Sequence, residues 1–159
     1  MALLTGNEII DMAVRLEEKG QAFYNAAAEG ADTASVQSLF AELAVQEQYH
    51  RRAFEQMGGG AVALSMADEQ WEQFQAYRDA LLQNTFFADA EGALGRANEA
   101  RDEGEVLRAA LDFEEETLQF YQDLQEVVRD ADRQTVERIA NEEREHIRRL
   151  SALLASLPA

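Results

Sequence analysis

Apolar residues recur every three or four positions along most of this chain of 159 residues, a spacing typical of amphipathic helices. Ala, Leu, Glu, Gln and Arg, which favour helices, dominate the composition, and the only proline, Pro158, stands next to the end. We therefore predict an all-α protein with four long helices. Their predicted ranges are Thr5 to Gly30, Thr33 to Met57, Asp102 to Arg129 and Asp132 to Ser156.

Residues that favour helix ends stand at several of these boundaries. Gly30 and the glycine run at 58–60 are natural C-terminal stops. Side chains able to cap a helix N-terminus stand at three of the predicted starts: Thr5 with Glu8, Asp32 or Thr33, and Asp102 with Glu105.

Residues 61–101 have a less regular pattern. We interpret them as a crossover connection between two helix pairs, within a single domain that spans residues 1–159. Three pieces of this stretch are predicted to pack on the bundle: a short amphipathic helix with Trp71, Phe74, Tyr77, Leu81 and Leu82, an apolar anchor at Phe86 and Phe87, and a second short helix at residues 91–101.

The chain has two histidines, and each follows a glutamate by three residues. Glu47 and His50 therefore share one helix face, as do Glu143 and His146. Both pairs stand in apolar stripes, where an unpartnered carboxylate or imidazole would be costly to bury. In four-helix metalloproteins, two such pairs combine with one glutamate from each of the other two helices. The two pairs thus predict two further inward glutamates.

Several glutamates compete for these two positions. In the first helix, the stripe around Glu17 is less polar than the stripe around Glu18. In the third helix, Glu114 has a more apolar neighbourhood than Glu115 or Glu116. We therefore predict that Glu17 and Glu114 face the centre of the bundle.

The two halves of the chain repeat one pattern. Glu17 and Tyr24 match Glu114 and Tyr121 at an offset of 97 positions, and the two Glu-x-x-His pairs match at an offset of 96. A duplicated helix hairpin, folded about a pseudo-two-fold axis, would bring all four helices to one central site. Tyr24 and Tyr121 are candidates for proton or electron transfer beside that site, with plain core packing as the alternative.

The formal net charge is −17, from 31 acidic and 14 basic residues. Such a surface argues against nucleic-acid partners and against anionic membranes. The absence of cysteine excludes disulfides, thiolate catalysis, iron–sulfur clusters and Cys-ligated zinc. We see neither a signal peptide nor a membrane-spanning run, which predicts a cytoplasmic protein.

These features resemble the rubrerythrin-like branch of the ferritin-like di-iron proteins. The resemblance implies a ferritin-like four-helix bundle made of two pseudo-symmetric hairpins with a long helical crossover. It also implies two iron ions, while carboxylate and imidazole donors suit Mn and Zn as well. It rests on residues 16–24, 47–50, 113–121 and 142–146, and implies Glu47, His50, Glu143 and His146 as ligands, with Glu17 and Glu114 completing the set.

Two departures from rubrerythrins proper limit what the resemblance implies. Rubrerythrins carry a further glutamate one turn along the third helix, where this chain has Thr117, and a Cys-held rubredoxin-type iron centre. Both departures argue against full rubrerythrin peroxidase activity. The expected function is a binuclear iron-binding oxidoreductase that acts on peroxide or O₂, or oxidises Fe(II), in oxidative stress. It would need an external electron donor such as a rubredoxin.

Two other classes of function stay open: a ferritin-like iron-storage or encapsulated ferroxidase subunit, and a metal-free helical bundle. Metal analysis would distinguish the metal-free bundle from the metal-binding alternatives. The mass in solution would distinguish a closed storage cage of many subunits from a small oligomer. The first helix also carries a second apolar face, which predicts either a crossover contact or a homodimer or higher homo-oligomer. This face consists of Leu3, Leu4, Ile9, Leu16 and Phe23.

Overall fold

The computed structural model describes residues 4–58, 62, 66–82 and 102–158, and within these ranges the chain forms five helices and no strand. The all-α prediction is confirmed. Among the described helices, none combines the length and the apolar character that a membrane crossing requires. The helices are α1 (Gly6–Gly30), α2 (Ala34–Met57), α3 (Asp68–Leu82), α4 (Glu103–Val127) and α5 (Asp130–Ser156).

Local capping fixes the starts of α1 and α4 as predicted. Thr5 and Glu8 form a capping box, in which Glu8 N donates to Thr5 Oγ1 at 3.2 Å and Thr5 N donates to Glu8 Oε2 at 2.7 Å. Glu105 N donates to Asp102 Oδ1 at 2.8 Å. These bonds satisfy backbone donors that a helix N-terminus leaves without intrahelical partners.

The prediction for the start of α2 is right about the N-cap position but wrong about the capping hydrogen bond. Thr33 occupies the N-cap position, but its side chain makes no capping hydrogen bond. Instead its hydroxyl and its backbone N–H both donate to the Glu103 carboxylate, the latter at 3.2 Å. A long-range partner therefore replaces the local one and ties the α1–α2 loop to the start of α4.

The boundary between α4 and α5 also differs from the prediction. Helix α4 ends at Val127, because Val128 is extended and pairs with Val62 in an isolated antiparallel bridge. Helix α5 begins at Asp130, two residues before the predicted start. Acidic side chains in the first turn favour a helix N-terminus, and the Arg133 guanidinium bonds Asp130 at 2.7 Å.

The helices form two hairpins joined by a crossover. Helix α1 packs along α2 and α4 along α5, and the hairpins meet where α1 contacts α4 and α2 contacts α5. In the crossover, α3 packs on α4: Phe74 lies edge-on to Phe120 at a centroid distance of 5.7 Å, and the Tyr77 hydroxyl donates to Asp123. Trp71 is half-buried in the same contact. The predicted anchor at 86–87 and helix at 91–101 lie outside the described residues.

Two apolar clusters fill the bundle, one towards each end. The first apolar layer includes Ile9, Leu16, Phe54, Phe120, Val136 and Ile139. The second apolar layer includes Phe23, Phe40, Leu43, Leu107, Ala110 and Leu150. Helices α1 and α5 run from the first layer to the second, and α2 and α4 run the opposite way. The six predicted site residues fall between the two layers on every helix.

The second apolar face of α1 is covered by the chain itself. Leu4, Ile9, Leu16 and Phe23 are all buried, and the first three belong to the layer that also contains Phe74 of α3. Their burial within one chain agrees with the predicted crossover contact, and Leu3 of this face lies outside the described residues. The face therefore does not by itself require a second copy, and the homo-oligomer stays a prediction that solution mass would test.

Candidate metal centre

Six side chains from four helices converge between the two apolar layers. All are at most 3% exposed, although every one is ionisable. Ionisable groups are rarely buried to this extent without partners or metal. They are Glu17 on α1, Glu47 and His50 on α2, Glu114 on α4, and Glu143 and His146 on α5.

These side chains make two overlapping groups of possible ligands. One group is Glu17, Glu47, His50 and Glu143, and the other is Glu47, Glu114, Glu143 and His146. Within each group the ligand atoms lie within 4.8 Å of one another. Glu47 and Glu143 belong to both groups, so the geometry offers two adjacent positions with two carboxylates in common.

Both imidazoles direct Nδ1 towards the carboxylates. His50 Nδ1 lies 3.0 Å from Glu143 Oε1 and 3.5 Å from Glu17 Oε1. His146 Nδ1 lies 3.0 Å from Glu143 Oε2 and 3.3 Å from Glu114 Oε1. The two rings stack with centroids 5.8 Å apart at 18°. Nδ1 is therefore the nitrogen that each histidine presents to the centre.

The outward nitrogens have partners that sequence reasoning missed. His50 Nε2 lies 2.5 Å from Glu142 Oε2, and His146 Nε2 lies 2.5 Å from Gln46 Oε1. Each bond crosses from one hairpin to the other. An oxygen acceptor on Nε2 favours the tautomer that carries its proton there and leaves the Nδ1 lone pair free for a cation.

Glu142 is one of these partners although its side chain lies partly at the surface. Its side chain is 46% exposed, but its carboxylate holds a buried histidine, and the bond from His50 lowers the pKa of Glu142. Glu145, three residues further along α5, pairs with Arg148 instead. One sequence signal existed: Gln46 and Glu142 each precede the glutamate of a Glu-x-x-His pair, at the same offset of 96 positions.

The two tyrosines also join the hairpins. The Tyr24 hydroxyl donates to Glu114 Oε1, and the Tyr121 hydroxyl donates to Glu17 Oε1. Burial, followed by the Glu114 charge, raises the pKa of Tyr24 well above its usual range. Burial and then Glu17 do the same to the pKa of Tyr121. Both hydroxyls therefore stay protonated and orient one carboxylate each.

Gly20 lets α1 approach the centre closely. A Cβ at this position would lie 2.7 Å from Glu47 Oε2 and 3.2 Å from Phe113 Cε1. The equivalent residue of the other half, at an offset of 97 positions, is Thr117. Thr117 is buried, and its Oγ1 has no hydrogen-bond partner within the described ranges. The two halves thus differ in the residue that faces the site at this position, which is a glycine on α1 and a threonine on α4.

Several buried carboxylate oxygens lack hydrogen bonds. Within the part of the chain that is described, this holds for Glu17 Oε2, both oxygens of Glu47 and Glu114 Oε2. Buried charge without partners is costly, and its removal by protons or cations is the usual solution. Buried carboxylate oxygens without hydrogen bonds are therefore what a cation site requires.

Protons meet part of this need in the metal-free protein. Burial, followed by the Glu143 charge, raises the pKa of Glu47 well above its usual range, and the same two causes raise that of Glu114. Burial also acts to raise the pKa of Glu143, but hydrogen bonds from Glu114 and His146 lower it overall. Glu47 and Glu114 therefore hold a proton more readily than a free carboxyl group, and Glu143 holds one less readily.

Both imidazoles are held in the charged form. Burial acts to lower the pKa of His50, but the Glu17 charge and further carboxylate contacts raise it overall. Burial likewise opposes the charge on His146, and bonds with Glu114 and Glu143 raise its pKa overall. Protons thus supply positive charge where cations would otherwise do so.

The donor set fits two divalent transition-metal ions. Carboxylate and imidazole ligands suit Fe(II), Mn(II) and Zn(II). Four carboxylates balance the charge of two such ions, and cations would displace the Nδ1 protons of the two histidines. The ligand atoms of each group already lie within 4.8 Å of one another, and several of the carboxylate oxygens have no hydrogen bond, so the residues fit a di-metal site.

Comparison with known proteins agrees with this layout. The sequence profile of the rubrerythrin family matches residues 8–154. The chain belongs to the rubrerythrin family. Membership implies iron binding, and the buried Glu/His cluster is the candidate site in this rubrerythrin-family chain. All six of its side chains lie within the matched range.

A solved structure shares the fold of this rubrerythrin-family chain. It is a crystal structure of a Thermotoga maritima protein described as a candidate ferritin-like diiron-carboxylate protein. The two are 24% identical over 98% of each chain, with a TM-score of 0.69. At this identity the likeness shows the fold alone, which confirms the predicted ferritin-like bundle. No protein of curated function matches the chain.

Proposed function

We propose that this chain is a binuclear iron protein whose six buried side chains hold both ions. Glu47 and Glu143 would be shared between the two positions. Glu17 and His50 would complete one position, and Glu114 and His146 the other. The observation that carries the proposal is the overlap of two four-residue ligand groups through these two shared carboxylates.

The proposed activity is the reduction of peroxide or O₂, or the oxidation of Fe(II). Two adjacent iron ions supply, when bound, the two electrons that such a reaction needs. The chain would supply the placement: Tyr24 and Tyr121 orient the Glu114 and Glu17 carboxylates and hold a proton at each hydroxyl. The two apolar layers would keep bulk water from the centre.

Electrons for repeated turnover would come from a separate protein. The chain has no cysteine to hold a second iron centre of the rubredoxin type. His50 lines a surface groove of about 650 Å³ together with Gln46, Glu142 and Arg138. This groove offers a donor a short route to the edge of His50, and a rubredoxin is the expected class of donor.

The test combines metal analysis with rapid kinetics. Protein purified without chelator should carry close to two ions per chain, and the Fe(II)-loaded protein should oxidise once with peroxide or O₂ and then stall. Rubredoxin with its reductase, or fresh Fe(II), should restore cycling. Glu47→Gln, which neutralises a shared carboxylate, should lose metal, whereas the surface variant Glu145→Gln should keep it.

Four results would contradict parts of this proposal or favour an alternative to it. Wild-type protein without bound metal would favour the metal-free bundle. Sustained turnover on NADH alone would show an electron path within the chain. Bound iron with no optical change on peroxide addition would favour storage, and a solution mass of many subunits would support a closed cage.

A further inference from the structure

The residues that hold the outer edges of the two histidines are equivalent in position but differ in chemistry. Glu142 and Gln46 stand 96 positions apart, the same offset as the Glu-x-x-His pairs. Both contacts have the same length, 2.5 Å, and the same geometry, an oxygen on Nε2. One acceptor is a carboxylate and the other is a neutral amide. The pseudo-two-fold axis is therefore broken at this pair.

This difference bears directly on the inner nitrogens. A charged acceptor makes a stronger hydrogen bond than a neutral one. A carboxylate on the outer N–H of a metal-binding histidine also makes the inner nitrogen a stronger base, and outer partners of this kind change metal affinity by roughly 10- to 100-fold. His50 should therefore bind a cation more tightly than His146.

The surroundings keep the two partners different. Arg138 and Glu142 line the same surface groove. On the other side, the nearby Arg149 is engaged with Glu42 at 2.6 Å. Gln46 offers His146 a neutral amide oxygen, whereas Glu142 offers His50 a carboxylate oxygen.

We propose that Glu142 and Gln46 are positioning residues that make the two metal positions unequal, so that the position with His50 fills first. The inference rests on the proposed metal binding and adds an order of loading to it. The other ligands do not create this order: each position has one imidazole, one glutamate of its own and the same two shared carboxylates.

The test exchanges the two partners. The double variant Gln46→Glu with Glu142→Gln keeps the composition and net charge of the chain and moves only the carboxylate. One equivalent of Co(II) is added to metal-free protein, and the paramagnetically shifted imidazole N–H resonance shows which histidine is bound. The variants His50→Ala and His146→Ala assign the resonances.

In the wild type, the first Co(II) should favour His50 over His146 by roughly tenfold. In the exchanged variant this preference should invert, while the final stoichiometry stays the same. The inference would be overturned if the first Co(II) prefers the same histidine in the wild type and the exchanged variant, or if it binds both histidines equally in the wild type. Either result would leave the proposed metal binding intact. No Co(II) binding at all would overturn both.

Single variants cover the case in which the exchanged protein does not fold. Glu142→Gln leaves both histidines with amide partners, and Gln46→Glu gives both a carboxylate. Each should abolish the preference, with total affinity falling in the first and rising in the second. Glu145→Gln, on the same helix, controls for the loss of one negative charge near the site. An unchanged preference in both single variants would also overturn the inference.

Discussion

A methyl group at Gly20 should weaken metal binding without changing the stability of the metal-free protein. In Gly20→Ala the new Cβ would crowd Glu47 Oε2, the far end of a flexible side chain that can turn away. It would also lie 3.2 Å from Phe113 Cε1, and the cost of this close contact is offset because alanine favours the helix by about 1 kcal/mol over glycine. We therefore expect a nearly unchanged melting temperature for the metal-free protein, but a metal affinity lower by on the order of tenfold, because Glu47 leaves the shared position.

The matched control is Gly30→Ala, where a Cβ would meet nothing within 4 Å. This variant should bind metal like the wild type. Circular-dichroism melting without metal and Mn(II) titration would measure both properties. Equal metal affinity in Gly20→Ala and Gly30→Ala would show that the close approach of α1 does not matter for binding.

Individual site residues could be predicted from the sequence where the polarity of their own helix face was sufficient to choose them. Glu17 and Glu114 could be chosen because their stripes are the least polar, and the structure buries both. Gln46 and Glu142 could not be chosen, because their partners are histidines on the opposite hairpin and Glu142 is half-exposed. A helical stripe shows which way a residue faces, but not which residue of another helix it meets.

Among the helices, α3 depends on a small apolar contact. Phe74 is 1% exposed and lies against Phe120, so Phe74→Ala would remove a buried ring. We expect a loss of about 3–5 kcal/mol in the free energy of unfolding. The exposed variant Glu72→Ala should change it by less than about 0.5 kcal/mol. Urea denaturation measures both, and a small effect of Phe74→Ala would mean that α3 contributes little to the fold.

Helix starts show the same division between local and distant causes. The caps at Thr5 and Asp102 could be predicted because donor and acceptor lie three residues apart. The bonding partner of Thr33 could not be predicted, because its hydroxyl donates to Glu103, 70 positions away in the sequence. Capping rules describe neighbours in sequence, so a competing partner from another hairpin lies beyond them.

For the whole molecule, the buried charges predict how stability depends on pH. The raised pKa values of Glu47 and Glu114 stabilise the metal-free fold below their unfolded value of about 4.3, and this contribution is lost as pH rises. The raised pKa values of His50 and His146 also stabilise the metal-free fold, fully below their unfolded value of about 6.5, and this contribution is lost as pH rises above that value. The lowered pKa of Glu143 matters only in acid.

Metal-free protein should therefore melt at a lower temperature at about pH 8.5 than at about pH 5.5. Metal affinity should rise over the same range because the ligands must lose protons. The melting temperatures of Mn(II)-loaded and chelator-treated protein should thus diverge as pH increases. Glu47→Gln should flatten the metal-free dependence, and a gap that narrows with pH would contradict the prediction.

The overall architecture could be predicted because the chain repeats. Two Glu-x-x-His pairs and two Glu…Tyr spacings already indicated a duplicated hairpin, and the four long helices meet as that duplication requires. The broken symmetry could not be read in advance. Gly20 opposite Thr117 and Gln46 opposite Glu142 look like ordinary variation until the contacts of each residue are known.

The hydrogen bonds that the two tyrosine hydroxyls and the two histidine Nε2 atoms make at the centre all join distant parts of the chain. Tyr24 and Glu114 are 90 positions apart, and His146 and Gln46 are 100 apart. A bound ion would therefore act as a reversible cross-link that closes a very long loop; a covalent link over about 100 residues is worth about 4.7 kcal/mol in the chain-entropy model. In a protein without cysteine, ion release would then precede unfolding, and the lifetime of the folded chain would follow the supply of free metal.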